Sequence, residues 1–226
     1  MARGRRPEIV ARRARERAAL RQRILDAAHD ILREEGLEGL SVRAIAARIA
    51  YSPATLYLHF RDKADLLREL LREGFRRLAK AVAEESAAAG SNPAARHRAL
   101  GRAYARFALE NPGYFRLMFE LPAGPRMVCG DPALAAEVRG EVPSWEEVVG
   151  SVVEAQRAGI YASEVDAQRG TLFAWALIHG LTSLYLGGHL RELAPTREAF
   201  ERLLEEAIDQ VGRWLGASLA GAASGG

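Results

Sequence analysis

Three helix-starting signals follow one another closely: Ser41, then Ser52-Pro53, then Asp62-Lys63. The first amides of a helix lack an internal partner, and a serine or aspartate side chain accepts from them. Proline at the first helical position has no N–H to lose. Between these signals the apolar residues recur at three- and four-residue spacing. Val42, Ile45, Ala46 and Ile49 form one stripe, Leu56 and Phe60 a second, and Leu66, Leu67, Leu70, Leu71 and Phe75 a third. Upstream, Ile24, Leu25, Ala28, Ile31 and Leu32 follow the same rule from Arg21 until Gly36 stops the helix. Ala50-Tyr51 breaks the chain between the second and third helices. Helices this short cannot each bury an apolar face alone, so they must share one core.

The remaining chain is punctuated in the same way. Residues 87–95, AAAGSNPAA, read as a boundary. Leu100, Tyr104 and Phe107 make a stripe that ends at Asn111-Pro112-Gly113, and a short piece spans Tyr114–Leu121. A Pro/Gly-rich loop is expected over 122–132. Trp145, Val148, Val149 and Val152 mark a helix ended near Gly159. Ser163 is expected to cap a long uncharged helix over 164–188, and Pro195-Thr196 to open a final one through Trp214. The tail, 217–226, has nothing to pack and is expected to be disordered. No stretch alternates with period two. The expected fold is all-α, an N-terminal three-helix domain followed by a C-terminal helical bundle.

Charge divides the chain. Residues 1–80 hold 19 Lys/Arg against 11 Asp/Glu, whereas residues 81–226 hold 13 against 18. A basic front suits a polyanion, and residues 1–17 read as an arginine-dense flexible arm or a helical extension. One cysteine, Cys129, excludes an internal disulfide and a multi-cysteine zinc site, which suits a reducing, cytoplasmic setting. The uncharged stretch GTLFAWALIHGLTSLYLGGHL (170–190) has the length of a membrane span. Its two histidines, its hydroxyls and its four glycines favour instead a helix buried on several sides.

Short helices with a tight break between the second and third make a helix-turn-helix over about 41–60, in which the later helix enters the major groove. On it, Leu56 and Phe60 face the core. Thr55, Tyr57 and His59 face outward and can donate to phosphate oxygens. Ser52, Pro53, Ala54 and Leu58 offer small or apolar surface to base edges. Lys63 brings a charge and helix N-terminal amides beside the backbone.

The segment SVRAIAARIAYSPATLYLHFRDKADLLREL resembles the DNA-binding domain of the tetracycline-repressor (TetR) family of bacterial regulators, over about residues 18–78. The resemblance implies that Arg43 and residues 52–54 meet bases or their edges, and that Thr55, Tyr57, His59 and Lys63 hold phosphates. This chain departs at the turn, where Ala50-Tyr51 replaces the family's glycine and small aliphatic residue. An alanine in a left-handed turn is strained. NPGYFRLMF (111–119) and WALIHG (175–180) further resemble one C-terminal type with a Trp-x-x-x-His-Gly arrangement.

That resemblance implies a dimerisation and ligand domain over 79–216. Its partners would be palindromic operator DNA, a second copy through helices 164–188 and 196–214, and a small, largely apolar effector. No cofactor is expected. Phe107, Phe115, Met118, Phe119, Trp145, Trp175 and His179 are candidates to line a cavity, or simply to fill a core. The favoured reading is a ligand-released homodimeric repressor. An enzyme with a helical substrate domain is the first competitor, although no phosphate loop, dinucleotide fingerprint, HExxH or GxSxG is present. An architectural DNA-binding protein without ligand is the second, and the large apolar C-terminal half argues against it.

Overall fold

The computed structural model describes residues 5–216, and all of its regular elements are helical. The helices are α1 (Arg5–Gly39), α2 (Val42–Arg48), α3 (Pro53–Tyr57), α4 (Lys63–Ala89), α5 (Pro93–Glu110), α6 (Pro112–Phe115), α7 (Ala123–Gly130), α8 (Pro132–Glu141), α9 (Trp145–Arg157), α10 (Ala167–Leu186) and α11 (Arg197–Gly216). A π-helical turn, Arg116–Glu120, follows α6. No helix among the described residues is long and apolar enough to cross a membrane. The tail expected over 217–226 lies outside the described residues.

The chain forms two compact units. The first contains the residues up to Gly74 together with Gly113–Ala135. Its core brings Ile24, Leu25, Ala28, Ile31 and Leu32 of α1 against Ile45 and Ala46 of α2, Leu56 of α3, Phe60, and Leu66, Leu70 and Leu71 of α4. Gly36 has φ 73°, the left-handed residue that interrupts α1 where a stop is expected. The later segment returns to α1, and the ring of Tyr114 stacks on His29 with centroids 4.4 Å apart. Gly113 is required there, because a Cβ at that position would lie 2.7 Å from the His29 carbonyl oxygen.

Three sequence expectations need correction. From Arg5 onward the arginine-dense segment is the start of α1, a helical extension rather than a flexible arm. Its alanines, arginines and glutamates are strong helix formers, and Pro7 falls in the first turn where it costs no hydrogen bond. The loop expected over 122–132 contains α7. Pro125 again occupies a first turn, and Gly124 passes so close to the Leu117 carbonyl that no side chain would fit. Finally, α10 is capped by Asp166, whose carboxylate accepts from the Arg169 amide at 2.8 Å. Ser163 lies instead in a turn that Gln156 pins, donating to the carbonyls of Ala162 at 2.8 Å and Val165 at 2.7 Å.

The second unit contains Phe75–Pro112 and the chain from Ala136. Helix α5 is its centre and packs against α9, α10 and α11. Buried alanines at 94, 99, 103, 105 and 108 give α5 a slim surface that lets the other backbones approach closely. Phe107 and Phe200 are fully buried, as is Leu215. Ser144 and Glu147 form a reciprocal capping box at the start of α9.

His97 is the buried histidine of this core, its Nδ1 3.4 Å from the Tyr161 hydroxyl and its ring edge-on to the tyrosine. Burial, reinforced by the neighbouring Arg98 cation, pushes the His97 imidazole down to about 4. An unfolded histidine takes its proton near pH 6.5, so the unfolded state binds the proton first as pH falls. The stabilising contribution of neutral His97 is therefore complete above about pH 6.5. It is lost progressively toward pH 4, in total on the order of 3 kcal/mol. Urea unfolding at a series of pH values should show this decline, and His97→Gln should flatten it whatever the variant's absolute stability.

Candidate nucleic-acid interface

The break between α2 and α3 is a tight helix ending followed at once by a new cap. The Tyr51 amide donates to the Ala46 carbonyl at 2.9 Å and the Ala50 amide to Ala47 at 3.3 Å. This bond pair is the one made when the residue after a helix turns left-handed, a place usually held by glycine. Here it is alanine: Ala50 has φ 58°, the only positive φ outside glycine among the described residues. At the other side of the break the Ser52 hydroxyl accepts from the Thr55 amide at 3.2 Å and lies 3.0 Å from the Thr55 hydroxyl. Pro53 takes the first helical position.

Helix α3 is therefore aimed by its two ends. Leu56 and Phe60 are buried, while Ser52, Pro53, Ala54, Tyr57 and Leu58 are exposed, Leu58 by 71%. Tyr57 and Leu58 thus stand open to water next to each other at the end of a helix whose other side is fixed in the core. Thr55 and His59 are half-buried beside it. Asp62 caps α4, accepting from the Asp65 amide at 2.7 Å, and Asp65 in turn accepts from the Arg61 amide at 3.0 Å. This box leaves Lys63 exposed at the first position of α4, its ammonium 3.4 Å from the Leu37 carbonyl.

Arg43 is exposed on α2 and makes no ion pair among the described residues. Arg48, farther along the same helix, is held by Glu34 at 2.8 Å and Glu35 at 3.3 Å. Of the two arginines on α2, Arg43 is the one whose guanidinium is open to a new partner.

Three residues that the sequence reading passed over complete the site. Arg17 donates to the Leu58 carbonyl at 3.2 Å, Arg21 to that of His59 at 3.1 Å, and Arg23 to that of Ile49 at 3.4 Å. Arg21 also pairs with Glu69 and lies over the Phe60 ring, 4.6 Å from its centroid, and Arg23 lies over Tyr51. These arginines of α1 satisfy the carbonyls at the ends of α2 and α3. The signal of Arg17 and Arg21 was legible as cations on the same stripe as Ile24 and Ala28. Burial, with the charges of Arg17 and Arg21, holds the His59 imidazole below its usual range. At neutral pH His59 is thus an uncharged donor.

The sequence model described as "Bacterial regulatory proteins, tetR family" matches residues 24–70, and that described as "Tetracyclin repressor-like, C-terminal domain" matches residues 97–207. The chain belongs to the tetR family. It is 29% identical over 179 residues to the uncharacterized HTH-type transcriptional regulator YobS of Bacillus subtilis, covering 79% of this chain and 80% of that one. A solved structure of a protein of unknown function from Rhodococcus sp. RHA1 is 31% identical, with a TM-score of 0.69 over 88% of this chain and 96% of the other. The TetR family regulator PfmR from Thermus thermophilus shares the fold, at 22% identity, 84% and 97% coverage and a TM-score of 0.62. The protein is a tetR-family helix-turn-helix transcriptional regulator, a class without enzymatic activity, and operator DNA is its implied partner.

The candidate cavity residues fall in both units. In the first, Phe115 and Met118 are buried and the ring of Phe119 lies 5.5 Å from that of Phe115. In the second, Phe107 is in the core. Trp175 and His179 are together, with centroids 5.8 Å apart, and His179 Nδ1 lies 2.8 Å from the Tyr104 hydroxyl. Trp145 edges a separate open groove along α9 with Val149, Val153 and Arg157.

The turn generates a direct test of this tetR-type domain. A left-handed non-glycine residue costs about 1–2 kcal/mol, partly offset by the greater unfolded freedom of glycine. Ala50→Gly should raise the stability of the regulator by about 0.5–1 kcal/mol in denaturant unfolding, with α2 and α3 otherwise unchanged.

Proposed function

We propose that this regulator is a homodimeric repressor, released from a palindromic operator by a small, largely apolar effector bound in its C-terminal domain. The observation that carries the dimer is the outer side of α10. Gly170, Thr171, Ala174, Ile178 and Thr182 face inward, whereas Leu172, Phe173, Trp175, Leu177 and Leu184 are exposed, Phe173 by 55%. Trp214 of α11 continues the patch, its ring 5.8 Å from that of Phe173. A contiguous apolar face of this kind is what a two-fold interface between identical helices requires. The Trp175–His179–Tyr104 cluster, in the Trp-x-x-x-His-Gly stretch, supports an aromatic effector environment with one polar handle. Helix α4 supports the coupling: it begins at the phosphate-side Lys63 and runs unbroken to Ala89.

On the DNA side, Arg43 reads a base, residues 52–54 and Leu58 fit base edges, and Thr55, Tyr57, His59 and Lys63 hold phosphates. Selection of bound duplexes from a random pool tests the reading and shows whether the site is palindromic. On the selected operator, Arg43→Ala should relax preference at one base pair per half-site, a discrimination on the order of 1–3 kcal/mol. Lys63→Ala should weaken all sequences alike and lower the salt slope by about one unit per protomer. Unchanged preference in the first variant, or a loss confined to one operator in the second, would reverse the two roles.

Charge placed in the apolar patch tests the dimer. Phe173→Glu should sediment as a folded monomer and lose on the order of a hundredfold in operator affinity, because the two half-sites are no longer bound together. A variant that remains dimeric would move the interface elsewhere.

A further inference from the structure

Arginines recur every fourth residue along one side of α1: Arg13, Arg17 and Arg21. Residues four apart on a helix share a face. Two of the three are committed, Arg21 to the His59 carbonyl and Arg17 to the Leu58 carbonyl at the C-terminal end of α3. Arg13 is one turn farther out on the same stripe. It is exposed and has no hydrogen bond or ion pair among the described residues.

From Glu8 to Ala19 every residue of α1 is exposed, so this part of the helix is supported by no core. Arg12 pairs with Glu16 at 3.5 Å, both largely in water, which removes the acidic residue nearest the stripe. Residues 5–19 are about 22 Å long as helix, enough to follow about six base pairs of one strand. The two carbonyl bonds fix the direction of this segment relative to α3. It is a basic rod tied to the recognition helix through Arg17 and Arg21, and duplex DNA is the polyanion that α3 brings to it.

We propose that the exposed first turns of α1 lie on duplex DNA outside the half-site, where Arg13 holds a phosphate that the helix-turn-helix does not reach. The proposal rests on the DNA-binding reading and extends the footprint beyond it. The partner is recognised by backbone charge alone, so the contact adds affinity and leaves sequence preference unchanged.

The test compares full-length Arg13→Gln with full-length Arg15→Gln, which removes the same charge from the opposite side of the helix. Each is titrated with the selected operator, bearing either no flanks or about ten extra base pairs on each side, across a salt series. On flanked DNA, Arg13→Gln should lower the salt slope by about one unit per protomer and weaken binding severalfold or more. Arg15→Gln should change both less, and the difference between the variants should vanish on unflanked DNA. Equal losses in the two variants would mean general attraction without a contact, and an Arg13 loss that persists without flanks would place the residue inside the half-site. Either result overturns the proposal, as does an unchanged slope. Exposed Ile9 and Val10 make a lipid surface the competing partner. Arg13-dependent binding to anionic vesicles, with operator binding unaffected, would overturn it in favour of the membrane. If no duplex is selected by the wild-type protein, the DNA-binding reading itself fails, a result separate from all of these.

Discussion

A helix of five residues cannot hold itself together in water, because one turn fixes several dihedrals for almost no internal hydrogen bonding. Helix α3 is that short, and the rest of the first unit supplies what it lacks. Ser52 satisfies its N-terminal amides and Pro53 pre-sets its first φ. Leu56 and Phe60 anchor one side in the core. Arg17 and Arg21 take the carbonyls at its far end from a different helix. With both ends and one face tied, the remaining face can carry Tyr57 and Leu58 open to solvent without being free to reorient. Exposure of apolar surface is tolerable there because the surface is rigid and small.

Much of this was legible because caps are local. Ser41, Ser52 and Asp62 act where the sequence places them, and each makes the amide bond its position implies. The left-handed Ala50 follows from the spacing of two helices with no glycine between them. The misses share a cause of the opposite kind. Ser163 and Asp166 are equally good caps by sequence, and Asp166 caps α10 while Gln156 holds the turn around Ser163. Pro122, Gly124 and Pro125 look like a loop until one sees that a helix begins inside them and that the Leu117 carbonyl occupies the space beside Gly124. Arg17, Arg21 and Arg23 were passed over as candidates, since nothing local distinguishes a guanidinium aimed at a polyanion from one aimed at a carbonyl. The aromatic candidates of the C-terminal part were legible as types but not as places: Phe107 is core, Trp175 and His179 pair on α10, and Trp145 stands apart.

The uncharged stretch that ends up in α10 illustrates how one pattern serves two surfaces. A helix with a single buried face needs apolar residues on only part of its circumference. In α10 the inward side is built from small residues and hydroxyls, and Thr171 and Thr182 satisfy theirs on carbonyls four residues back. The larger residues, Phe173 and Trp175 among them, are outside. This is the reverse of the size order expected of a helix packed on one core alone. The small inward side lets α5 and α11 come close, and the bulk is left for another surface.

The arginines of α1 also solve an electrostatic problem that any recognition helix of this length would face. The C-terminal end of a helix carries partial negative charge on its free carbonyls. Half of a five-residue helix is such an end. Guanidinium groups on the Leu58 and His59 carbonyls reverse the sign of the local field while satisfying the backbone. A carbonyl does not cancel a full charge, so Arg17 keeps its own. Arg21 is also paired with Glu69, and Arg48 with Glu34 and Glu35. Burial, helped by the Arg17 and Arg21 cations, lowers the proton affinity of His59 and leaves the positive charge at this end of α3 to the arginines. Charge and shape at the tip of α3 are thus both set by side chains that begin some forty residues earlier in the chain.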